Sequence, residues 1–153
     1  MRAFVHRADT RADVDVVASL IDDVGGWSTW SRPLLAQTGW DRWGSPAPGG
    51  AGALRRLGLW PVFIRELITS YDRGLRQEYT VLKPHLFTAY LGAITLSRRH
   101  DGGTRIAWSV EFTPRFAVLG PVTAFVLSRM IKRLTEQLAR AAETKSAAQA
   151  VSG

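Results

Sequence analysis

From Thr104 to Thr113 the chain alternates without a break. Ile106, Trp108, Val110 and Phe112 fall on one side; Arg105, Ala107, Ser109 and Glu111 fall on the other. A period of two with one apolar side predicts an antiparallel strand, buried on one face and wet on the other. Shorter runs of the same kind predict strands over Arg2–Arg7, Leu34–Trp43, Ala53–Leu57, Val62–Tyr71, Leu75–Leu82 and Phe87–Ser97. Asp72-Arg73-Gly74 and Asp101-Gly102-Gly103 are hairpin turns. Gly44 to Gly52, rich in glycine and proline, reads as a flexible hairpin loop.

Two short helices follow the first strand. Asp9 is a candidate N-cap, and Val14, Val17, Ala18 and Ile21 recur at helical spacing until Asp22-Asp23 and Gly25-Gly26 stop them. Gly26 to Ser31 forms one more turn, ended by Pro33. From Leu119 the period becomes helical again, with Val122, Val126, Met130, Leu134 and Leu138 four apart. That predicts an amphipathic helix of roughly 25 residues, about 37 Å long. Residues 1–145 thus read as one domain and 146–153 as a flexible tail.

The predicted class is α+β: a curved antiparallel sheet of about six to seven strands wrapped round one long C-terminal helix. A sheet with one apolar face must cover it, and only the last helix is long enough. Side chains rarely fill all the space under such a sheet, so an apolar cavity with a few polar groups is expected.

Composition narrows the chemistry. The chain has 153 residues and no cysteine, which excludes disulfides, thiolate metal sites and a cysteine nucleophile. Met1 to Thr10 contains no apolar leader, and Phe116 to Leu127, uncharged over 12 residues, is shorter than the roughly 20 a spanning helix needs. A cytoplasmic protein is expected. His6, His85 and His100 share no ligand spacing, so neither a metal nor another cofactor is implied. Net charge is +7, of which residues 112–153 contribute six basic and two acidic side chains. The arginines are scattered and the aromatics alternate at core positions, which argues against nucleic acid.

Three passages carry a family resemblance. Asp23 to Ser31, with Trp27 and Trp30, resembles an Asp-x-x-x-Trp-x-x-Trp segment. Gly52 to Arg56 with Ile64 to Ile68 resembles a pair of central strands. Gly103 to Phe112 resembles the strand before a long helix. In this order they are similar to the SRPBCC (START-like, helix-grip) superfamily and its polyketide cyclase/dehydratase-like group. The resemblance implies a pocket for a hydrophobic small molecule such as a lipid, isoprenoid or polyketide, and the expected role is that of a carrier or sensor. It implies no single activity.

Candidate residues follow from the strand faces. Glu66 shares a side with Ile64, Ile68 and Ser70; if that side faces inward, desolvation raises its pKa and makes it a candidate acid or base. Gln77, Tyr79 and Tyr90 on the next strands could converge on it. Glu66 and Tyr79 are the catalytic candidates of a cyclase/dehydratase reading. In the other reading Glu66 pairs with a neighbouring arginine at the surface or is neutralised within a polar cluster. Trp108, Phe112, Phe125 and Met130 complete the expected lining. Trp27 and Trp30 stand either at the mouth or as a core plug. Phe116 to Leu127 with Arg129, Lys132 and Arg133 is either a membrane-touching segment or a helix start buried on the sheet; an all-round apolar helix is usually buried, which favours the second.

Overall fold

A computed structural model describes residues 1–59 and 62–152. The alternating runs form seven antiparallel strands: β1 (Arg2–Thr10), β2 (Gln37–Arg42), β3 (Leu54–Leu59), β4 (Val62–Asp72), β5 (Arg76–Lys83), β6 (Phe87–Arg98) and β7 (Thr104–Pro114). They build one sheet in the order β1-β7-β6-β5-β4-β3-β2. On β7 the expected alternation is realised: Ile106, Trp108, Val110 and Phe112 are buried, and Arg105 and Glu111 are exposed. Gly74 and Gly102 adopt φ of +84° and +85° in their hairpin turns. Glycine takes that backbone conformation without a Cβ penalty.

Helix α1 spans Val14–Asp22 and α2 spans Trp27–Trp30. The cap of α1 is Asp13, whose carboxylate accepts the Val16 N–H at 3.0 Å, and not Asp9. Asp9 lies inside β1, which runs past the expected Arg7 to pair Thr10 with Thr104, and it binds Arg105 across the strands. Leu34 and Leu35 belong to the turn after α2, so β2 starts later than its pattern suggested.

Helix α3 spans Gly120–Ser152, 33 residues. It continues through the segment expected as a tail, although Ala147 to Ser152 are exposed; Gly153 lies outside the described residues. Its buried side chains, Ile131, Leu134, Leu138 and Ala142, all fall in the middle and later turns. They press on β1, β7 and α1. The first turns are different. Phe125, Val122 and Val126 are exposed, which corrects the expectation of a helix start buried on the sheet.

This asymmetry leaves the site open. Helix α3 covers the β1–β7 edge of the sheet. Ile21, Val24 and Trp27, from α1, α2 and the turn between them, are buried in the same core. The inner faces of β3 to β6 beneath the first turns of α3 remain only partly covered.

Candidate functional site

Arg55 sits in the middle of β3, between Ala53 and Leu57 on the inner face, and is fully buried. A guanidinium stays charged in any protein interior, so the surroundings must neutralise it. Glu66 lies opposite it in the β3–β4 register, and Arg55 Nε donates to Glu66 Oε1 at 2.6 Å. Arg55 Nη1 donates to Gln77 Oε1 at 2.7 Å. Two rings attend the cation, with centroids 4.8 Å (Trp27) and 4.5 Å (Tyr79) from its central carbon. Such contacts stabilise a desolvated cation. The Tyr79 hydroxyl accepts from Trp108 Nε1 at 2.8 Å. Its ring has room because Gly92 stands opposite: a Cβ there would lie 2.1 Å from Tyr79 Cζ.

Beside this cluster opens a cavity of about 350 Å³. Its floor is Leu57, Ile64, Glu66, Tyr79, Val81, Tyr90 and Trp108, and its roof is Val122, Val126, Leu127, Met130 and Leu134 of α3. Pro84, Leu86 and Phe87 close one side. Among the described residues Glu66 is the one charged residue on this wall. Arg55 holds its Oε1, and Oε2 has no hydrogen-bond partner among the described residues. Burial pushes the Glu66 carboxyl above its ordinary range, and the Arg55 guanidinium pulls it back only in part. Burial also raises the phenols of Tyr79 and Tyr90, which keeps both protonated at neutral pH. The site therefore offers an apolar chamber, one carboxyl oxygen and two tyrosine hydroxyls. Among the described residues no three His, Asp or Glu side chains gather as metal ligands.

The structure brings Glu66, Tyr79, Tyr90, Trp108 and Met130 together on the cavity wall. Gln77 stands behind it, bonded to Arg55. Trp27 is core, not entrance: it is fully buried, edge-on to Trp108 at 6.0 Å, with its indole N–H bonded to the Leu20 carbonyl. Trp30 packs on Trp27 at 5.5 Å and does not reach the wall. Phe112 is also core, edge-on to Phe87. Phe125 is exposed outside the cavity. The Gly44–Gly52 loop, a natural candidate for a portal, contributes no lining residue; Gly49 packs on Trp40 instead.

Arg55 is the residue that sequence reasoning missed. The signal was present: Ala53, Arg55 and Leu57 share a side, and both neighbours are apolar. The adjacent Arg56 must then face outward. There it pairs with Asp41.

Solved structures share this architecture at low identity, which speaks to fold alone. Protein XoxI from Bacillus cereus superposes with a TM-score of 0.73 at 16% identity, covering 92% of this chain and 95% of that one. A START superfamily protein from Mycobacterium smegmatis gives 0.74 at 10%, covering 96% and 98%. StfQ, a di-domain ARO/CYC protein of the steffimycin biosynthetic pathway, gives 0.74 at 14%, covering 97% of this chain and 51% of that one. No curated protein matches the sequence. No described helix is long and apolar enough to cross a membrane. The fold is a helix-grip α+β fold, and with residues 1–143 matching the profile described as polyketide cyclase / dehydrase and lipid transport, the chain belongs to that family.

Proposed function

We propose that the protein binds a compact, mostly apolar small molecule between α3 and strands β3 to β6, and that a hydrogen-bond donor on that molecule meets Glu66. The observation that carries this reading is a carboxyl group set in an apolar wall with one oxygen held and the other without a protein partner. This oxygen opens on the cavity, where water can meet it, and a donor on the ligand would take that water's place. The volume, about 350 Å³, lies at the small end of ligand pockets and suits a ring system or one short chain better than a two-chain lipid.

A matched pair of probes tests it. 1-Naphthol should quench Trp108 and bind about tenfold or more tighter than 1-methoxynaphthalene, as expected for a hydrogen bond to a charged group. Glu66→Gln keeps an acceptor for Arg55 and should shrink that preference. Native mass spectrometry of protein purified from its host should show an apolar adduct. Failure of every aromatic and lipid probe to bind would overturn the reading; equal binding of the two naphthalenes would remove Glu66 from it.

One observation also favours an acid–base role. Glu66, with its raised proton affinity, shares the wall with the Tyr79 and Tyr90 hydroxyls. A carboxylate and a phenol are the groups needed to enolise a ketone for aldol closure or dehydration. In that case the parent turns over a poly-β-keto substrate and Glu66→Gln loses about a hundredfold or more. A parent without turnover ends this second reading.

A further inference from the structure

The mouth of the cavity is rimmed by apolar side chains that no other described residue covers. Phe116 is 54% exposed, Val118 84%, Val122 64% and Phe125 64%. Leu86, on the β5–β6 turn, is exposed as well. Val122 faces both ways, lining the cavity while remaining largely exposed, so the outer patch and the inner chamber are one continuous apolar surface. A patch of this kind on a monomer marks an interaction site.

Charge identifies the partner. Lys83, Arg115, Arg129, Lys132 and Arg133 border the patch, and all are exposed. Among the described residues none of these five forms an ion pair; Arg73, Arg76 and Arg105 elsewhere are matched with carboxylates, while Arg2, Arg7, Arg32, Arg42, Arg98 and Arg140 are not, so what sets the rim apart is the gathering of five such cations round one apolar patch. The rim segments, residues 83–90 and 112–135, contain no Asp or Glu; Glu136, which follows at once, is the acid that shares a groove with Phe125, Arg129, Lys132 and Arg133. A second copy meeting this face symmetrically would set five cations against five, which disfavours a dimer. Apolar side chains at the tip with cations one to three turns behind them match a bilayer surface, where the first enter the acyl boundary and the second meet phosphate.

We infer that the protein docks on anionic membrane surfaces through this rim, with the cavity mouth facing the bilayer. Docking of this form does not depend on Glu66 or on the identity of any ligand. A ligand would pass between lipid and chamber along Val122 and Val126 without crossing water.

Flotation with vesicles tests the inference. Binding to phosphatidylglycerol vesicles should exceed binding to phosphatidylcholine vesicles about tenfold or more, and should weaken at high salt. Each charge neutralised among Arg129→Gln, Lys132→Gln and Arg133→Gln should cost about fivefold. Val118→Asp with Phe125→Asp should abolish binding even to anionic vesicles. All of these positions are exposed, and unchanged circular dichroism with unchanged 1-naphthol binding shows that the variants keep their fold. No binding to anionic vesicles, equal binding to both lipids, or binding that survives both sets of changes would overturn the inference. So would sedimentation showing a dimer that Val118→Asp dissociates. Loss of naphthol binding alone would leave it standing.

Discussion

Glu66→Leu is expected to destabilise the protein by about 3–5 kcal/mol, because it strands a buried guanidinium that cannot lose its proton. Arg55→Met should cost less. There the stranded group is a carboxyl, which can take up a proton and become neutral. The double variant Arg55→Met/Glu66→Leu should come back toward the parent, since an ion pair replaced as a unit by apolar residues is often close to neutral. Urea denaturation at neutral pH measures all three. Equal costs for the two single changes, or a double variant equal to their sum, would refute the account of this pair.

The sign of the pH dependence follows from the same residue. The folded state holds a proton on Glu66 above the ordinary value of 4.5, where the unfolded chain releases it. This group therefore lowers stability as pH rises from 4.5 through its raised folded value. Removing Arg55 raises the folded value further, so the decline should be steeper and longer in Arg55→Met. A flat stability profile across that pH range in the variant would contradict the direction of the shift.

Gly92→Ala is the second large effect. Its new methyl would sit on the Tyr79 ring, with three ring atoms within 2.5 Å. The ring must leave its place beside Arg55 and its bond to Trp108, and its way out is the cavity. Overpacking of this kind costs about 1–3 kcal/mol, and naphthol binding should be lost with it. The change should be nearly silent in a Tyr79→Leu background, where the ring is absent. A cycle of the two changes measures the coupling. Equal costs in both backgrounds would show that the two residues do not constrain one another.

The parts of the fold legible in the sequence are those where one face is wet. β7 could be read because Arg105 and Glu111 mark its outer side; β4 could not, because Phe63 and Leu67 make its outer face partly apolar too. Glu66 was visible as a candidate while its orientation was not. Arg55 stayed hidden because an arginine is presumed to face solvent, and only its apolar neighbours at two-residue spacing contradict that presumption. The start of α3 misled for the converse reason. An apolar run is presumed buried, yet among the described residues nothing covers Val118 or Phe125.

Helix α3 is held mainly by its later turns, and its first turns add the packing of Ala124 and Leu127 and a hydrogen bond between Ser128 and His6. Lifting residues 120–130 would give up these contacts and leave the Arg55–Glu66 pair intact. If a ligand enters as proposed, unlatching one end of this rod would open the chamber while strands β3 to β6 keep their pairing.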